Sequence, residues 1–129
     1  MKYVAIDIET TGLDPATCQV IEFAAVLEDT AHPEAPVADL PHFHAYVTHE
    51  QYRGEPHALS MHAAIFRRIA AREPPYQYCS GEVLTMMPDS ELGTAVERWL
   101  PPSKITIAGK NFASFDARFL RRACPGVSH

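Results

Sequence analysis

Hydrophobic and polar positions alternate from the first residues of the chain. Val4, Ile6 and Ile8 fall on one side of an extended segment and Ala5, Asp7 and Glu9 on the other, which is the two-residue period of a β-strand. From Tyr3 to Ile8 the segment is too apolar for an edge strand, and Thr10-Thr11-Gly12-Leu13 then turns it. Residues 19–28, rich in Val, Ile, Phe and Leu, predict a second strand. Pro33, Pro36 and Pro41 mark a loop over 29–41, and 42–48 predicts a third strand that completes an antiparallel meander. The period changes to that of a helix over 58–72, where Leu59, His62, Ile65, Phe66 and Ile69 share one face. Residues 73–88 contain Pro74-Pro75, Gly81 and Pro88 and read as a long irregular excursion, a kind of segment that is often functional. Asp89 is placed to cap a helix ending near Leu100, with Leu92, Val96, Trp99 and Leu100 inward and Pro101-Pro102 as its stop. A buried strand follows over 104–109. Ser114 then stands as an N-cap before a last helix whose apolar face is Phe115, Phe119 and Leu120. This order of elements fits an α/β domain, a mixed sheet with helices packed on its faces.

Composition narrows the picture. The 129 residues, 47% of them hydrophobic, are enough for one domain, 1–129, with a real core and without repeats or a second-domain linker. A net charge of −5 argues against a broad duplex-coating surface, though not against an enzyme that grips one strand end through metal ions. Cys18, Cys79 and Cys124 are widely spaced, odd in number and without a CxxC pair. With no leader-like segment before the first strand, they read as reduced thiols of a cytoplasmic protein. No apolar run is long enough to span a bilayer, so no membrane partner is expected.

The candidate chemistry lies at two strand ends. Asp7 and Glu9 share a strand face with Cα atoms roughly 7 Å apart. Carboxylates so placed repel and call for a cation or protons between them. An all-oxygen donor set suits Mg²⁺ or Mn²⁺, and a cation-binding carboxylate pair is a place where phosphate esters are cut. Asp116 falls in the first turn of the last helix, just past the carboxyl end of the preceding strand, where ligands gather in α/β sheets. Glu22, in an apolar strand, reads as a partly exposed strand acid, and Gly12 as the turn residue that supplies a positive φ. His62 lies on an inward helical face and reads as a core or boundary residue, and Met61 and Phe66 read as core. The seven histidines lack zinc-ligand spacing. Arg67-Arg68 and Arg121-Arg122 read as solvated faces, although Arg118 and Arg122, one turn apart, are placed to meet a phosphate backbone.

The segments D-I-E-T-T-G-L-D-P, from Asp7, and N-F-A-S-F-D-A-R-F-L, from Asn111, resemble the first and second exonuclease motifs of the DEDD 3′–5′ exonucleases. Both occur in the family's order, each on the element expected, and the resemblance covers residues 1 to about 125. It implies a ribonuclease H-like fold and a metal-dependent 3′–5′ exonuclease acting on the 3′ end of single-stranded DNA or RNA, with release of nucleoside 5′-monophosphates. By the same resemblance Asp7, Glu9 and Asp116 hold two Mg²⁺ or Mn²⁺ ions. Thr10, Thr11 and Gly12 lie along the terminal nucleotide with Leu13 as a wedge against a base. Asn111 and His62 join the substrate-binding set.

The family's third motif, a carboxylate preceded by a His or Tyr, has no counterpart, because none of the thirteen residues after Asp116 is Asp or Glu. The chain is thus expected to be an exonuclease domain cut short before its last strand and helix, poorly active by itself. Apolar surface near Phe115 or Phe119 would be left uncovered, and a homodimer would be one outcome. Two rivals remain. A haloacid-dehalogenase-type phosphatase opens on D-x-D-x-T, but Glu9 stands at its second acid. A non-catalytic nucleic-acid-binding or scaffolding module that kept the fold gains weight from the absent motif.

Overall fold

The computed structural model describes residues 1–75, 82–102, 106–109 and 116–127. Its centre is a five-stranded mixed sheet in the order β4-β3-β2-β1-β5. Strand β1 (Lys2–Thr10) runs antiparallel to β2 (Val20–Asp29), and β2 antiparallel to β3 (His42–Thr48). Strand β4 (Glu82–Pro88) lies parallel to β3, and the short β5 (Thr106–Ala108) lies parallel to β1. The expected meander is present, and β1 is an interior strand as its apolar run predicts. A short 3₁₀ turn, Val37–Asp39, sits in the loop before β3.

The parallel β3–β4 pair needs a crossover, which is helical: α1 (Pro56–Met61) and α2 (Ala63–Ala70). The single helix expected over 58–72 starts earlier and is broken at His62, whose backbone sits at φ −102°, ψ 23°. The periodic face holds across the break, since Leu59, His62, Ile65 and Phe66 are half-buried and Ile69 is buried. Met61, expected in the core, is instead exposed on α1. The excursion expected over 73–88 contains an edge strand. Val83 to Met87 is a run compatible with β structure, and Pro88 ends it at a position where a sheet edge tolerates proline.

Helix α3 (Asp89–Trp99) opens with Asp89 as its first residue rather than its cap; Pro88 holds the cap position and no side chain caps it. Leu92 and Val96 of α3 pack with Phe119 and Leu120 of α4 (Ala117–Ala123) against Val4, Ile6 and Ile8 of β1. Phe119 is therefore buried, which corrects the expectation of an uncovered Phe119. Phe115, Ser114 and Cys79 lie outside the described residues. Cys18 and Cys124 are free thiols in the core, and burial pushes the Cys124 thiol up to about 12.

Candidate active site

The alternation of β1 sorts its side chains. Val4, Ile6, Ile8 and Thr10 enter the core, while Asp7 is exposed and Glu9 half-buried on the opposite face. A register shift between Glu9 and Thr10 interrupts the β1–β2 ladder at this point: Glu9 pairs with Glu22 but Thr10 with Val20. Bulges of this kind bend a strand and re-aim its side chains, and they are common beside active sites. Burial pushes the Glu9 carboxyl above the usual range. The charges of Asp7 and Glu22 add to the rise, against the pull of His62. The break between α1 and α2 brings the His62 ring over β1, with Nε2 3.4 Å from Glu9 Oε2. Glu22 is answered by His44, whose Nε2 lies 2.8 Å from Glu22 Oε2. Glu22 is a partly exposed strand acid, as expected, and in addition a cross-strand neighbour of Glu9 tied to a histidine. The pairing register that sets Glu22 opposite Glu9 is not legible in the sequence.

Asp116 comes from the other end of the chain. It stands at the N-terminal boundary of α4, buried, with no hydrogen bond from its side chain to the helix start. Its carboxyl is raised to about 6, first by burial and then by the charges of Asp7 and Glu9. Asp7, Glu9 and Asp116 thus feel one another although more than 100 residues separate the first two from the third. Among the described residues no three His, Cys, Asp or Glu side chains close around a single point. The donor chemistry of Asp7, Glu9 and Asp116 suits a hard divalent cation of the Mg²⁺ type, which keeps several waters and takes one or two carboxylates plus substrate phosphate. The buried, mutually repelling Asp116 is what such a cation would relieve.

The turn after β1 is held from below. Thr10 Oγ1 donates to Gly12 O at 2.7 Å. Thr11 is fully buried; its Oγ1 donates to Arg53 O at 2.6 Å and accepts from Gln19 N–H at 2.8 Å. Each threonine hydroxyl therefore spends its one proton within the protein and keeps only acceptor capacity. The backbone is engaged as well: Thr11 N–H donates to Gln19 O at 2.9 Å and Leu13 N–H to Glu55 Oε1 at 3.2 Å. Gly12 does not adopt a positive φ. A Cβ there would lie 2.4 Å from Cys18 Sγ and 3.0 Å from Glu55 Cδ, so glycine is required by close packing. Leu13 keeps 68% of its surface exposed beside the carboxylates, an apolar side chain free to lie against a base. Asn111 lies outside the described residues.

Sequence reasoning missed the 51–55 loop. The Gln19 carboxamide grips it twice, donating through Nε2 to Gln51 O at 2.9 Å and accepting from Arg53 N–H at 2.8 Å. Glu55 N–H donates to Thr11 O at 2.7 Å. The one available signal was Glu55-Pro56, an acid followed by proline at a helix start.

No protein-family model matches the chain, and no curated protein matches it in sequence. Solved structures do match in shape. E. coli exonuclease I in complex with a dT13 oligonucleotide is similar at TM-score 0.66 and 18% identity, over 95% of this chain and 23% of that chain. A zinc-ion-bound form of the E. coli exonuclease I–single-stranded DNA complex gives 0.65, 18%, 95% and 23%. A moderately thermophilic exonuclease I from Methylocaldum szegediense gives 0.68, 18%, 95% and 23%. This chain spans about a quarter of the length of those proteins. At such identity the likeness is one of fold: the mixed sheet with flanking helices is the ribonuclease H-like exonuclease fold.

Proposed function

We propose that this chain is the metal-dependent core of a 3′–5′ exonuclease that hydrolyses the terminal phosphodiester of a single nucleic-acid strand and releases a nucleoside 5′-monophosphate. The observation that carries the reading is the electrostatic convergence of Asp116 with Asp7 and Glu9, from elements at opposite ends of the chain. Mg²⁺ or Mn²⁺, held by Asp7, Glu9 and Asp116, would supply Lewis acidity that lowers the pKa of an attacking water and neutralises the leaving 3′ oxygen. Around that centre, His62 holds the Glu9 carboxylate by its Nε2. The exposed Leu13 lies against the terminal base, and the clamped turn keeps it at a fixed height. Solved exonuclease I bound to single-stranded DNA supports a nucleic-acid partner for the same fold. DNA and RNA are both compatible with these residues.

No acid follows Asp116 in residues 117–129. Those residues therefore supply no carboxylate for the proton of the attacking water. Positioned acid–base catalysis is worth on the order of 10²–10⁴-fold, so the chain by itself should bind a 3′ end and cut it slowly. Calorimetric titration with Mn²⁺ is the test. Heat should be present in the unmodified protein and lost in Asp7→Ala and in Asp116→Ala. Heat that survives unchanged in Asp7→Ala puts the cation elsewhere and ends this reading. One alternative is a non-catalytic nucleic-acid-binding module. It predicts 3′-end binding with no mononucleotide released at any Mn²⁺ concentration.

A further inference from the structure

Two glutamates meet across the first two strands, and each is answered by a different histidine. The register sets Glu22 of β2 opposite Glu9 of β1, on the sheet face that also carries Asp7. Side chains directly opposite in an antiparallel pair have Cβ atoms roughly 4.5–5.5 Å apart. The Glu22 charge is near enough to help raise the Glu9 carboxyl. His62 takes Glu9 from the break between α1 and α2, with Nε2 3.4 Å from Oε2. His44 takes Glu22 from β3, with Nε2 2.8 Å from Oε2.

The second pair is built into the sheet. Strand β3 sets Tyr46 opposite Glu22 and His44 opposite Ala24, and Ala24 is in turn opposite Asp7. The small Ala24 side chain thus stands between Asp7 and His44. To meet His44, the Glu22 side chain turns diagonally on this face, toward β3 and away from β1. The Tyr46 ring packs on the His44 ring with centroids 6.2 Å apart, and both residues are buried. The His44 and Glu22 side chains keep only 11% and 22% of their surface. A short bond from a ring N–H to a carboxylate is among the stronger kinds, and screening by water is reduced here.

Without that bond Glu22 has another place to go. Opposite Glu9, its carboxylate is within one side-chain length of a cation held by Asp7 and Glu9. Cations differ in what a further carboxylate does for them. Mg²⁺ demands a near-octahedral shell, keeps several waters and takes one or two carboxylates. Ca²⁺ accepts about six to eight oxygens in flexible geometry, with carboxylates giving one oxygen or two. A glutamate arriving from β2 therefore favours the larger ion.

We propose that His44 is a positioning residue that sets the cation preference of the site: by holding Glu22 toward β3 it keeps a further carboxylate out of the cation's shell, and the site takes Mg²⁺ in preference to Ca²⁺. This rests on the reading of Asp7, Glu9 and Asp116 as the cation site, and adds a residue that touches neither cation nor substrate. Partners beyond a metal's own ligands commonly change its affinity by roughly 10–100-fold.

The test is calorimetric titration of the whole chain with Mn²⁺, alone and in competition with Mg²⁺ or Ca²⁺. The proteins are the unmodified chain, His44→Ala, His44→Gln, Glu22→Gln and the double variant His44→Ala with Glu22→Gln. His44→Ala should raise Ca²⁺ affinity relative to Mg²⁺ by about tenfold or more. The ratio cancels any general change of charge around the site, which acts on both ions alike. His44→Gln offers an amide N–H at nearly the same reach and should keep the unmodified ratio, a rescue that mere filling of space does not predict. The double variant should return to the unmodified ratio. An unchanged ratio in His44→Ala, or a raised ratio that survives in the double variant, overturns the proposal and leaves the cation site standing. Glu22→Gln alone should leave the ratio where it is. A fall there shows that Glu22 is already a ligand and overturns the proposal even if His44→Ala does not fold. Absence of Mn²⁺ heat in the unmodified chain overturns the site reading and this inference together.

Discussion

Replacing Asp116 by Asn should stabilise the metal-free protein near neutral pH and leave it unchanged in acid. The Asp116 carboxyl lies about 2 units above its ordinary 3.8. At about 1.4 kcal/mol per unit this sets a ceiling near 3 kcal/mol. Water at the open side of the carboxylate site screens the repulsion and brings the figure to roughly half. An acid at a helix N-terminus returns about 0.3–1 kcal/mol through the helix dipole, and Asn is as good an N-terminal boundary residue as Asp. About 1 kcal/mol of net repulsion remains, so repulsion outweighs the dipole. The direction in pH follows from the sign of the shift. Below the unfolded pKa both states hold the proton and no penalty exists. As pH rises toward the folded value of about 6, the unfolded chain ionises first and stability falls. Above it the penalty is complete. Thermal melts in EDTA at pH 3 and pH 7.5 would read this as coincident curves in acid and a gain of about 3–5 °C for the variant at pH 7.5. A loss of similar size at both values would refute the reasoning, because Asp116 would then be a structural residue whose bonds matter in either protonation state.

Two further outcomes follow from the turn. Thr11→Val should cost about 1–3 kcal/mol in urea melts, since it leaves the part-buried Arg53 carbonyl and Gln19 amide each without its hydroxyl partner; a cost below about 0.5 kcal/mol would mean that water replaces the hydroxyl. Gly12→Ala should destabilise by roughly 1–3 kcal/mol through overpacking against Cys18 Sγ, and Cys18→Ala in the same chain should recover part of that loss; additive losses would show that the clash lies elsewhere.

Much of the site could be read before the fold was known. Two-residue alternation put Asp7 and Glu9 on one face, and the strand-then-helix pattern put Asp116 at a strand's carboxyl end. Both inferences need only local periods. The unread parts depend on contacts between distant segments. Thr11 is held by Arg53 and Gln19, and no local period encodes that meeting. The break at His62 has no glycine or proline to announce it. Strand β4 was hidden because it ends in Pro88, and at a sheet edge proline marks the end of a strand as readily as a loop.

The clamp between the 51–55 loop and the turn has a consequence for how this protein opens. The loop is joined to β1 and β2 by the Gln19 carboxamide, the Thr11 hydroxyl and carbonyl and the Glu55 side chain. Local unfolding proceeds in units defined by such connections rather than by element names. Residues 51–55 therefore belong thermodynamically to the interior strands, not to the helix they precede. A lid in this position would have to break a buried hydroxyl's bonds each time it moved. The wall beside Leu13 is accordingly a fixed edge of the sheet, and whatever meets it finds a surface whose shape is set once, at folding.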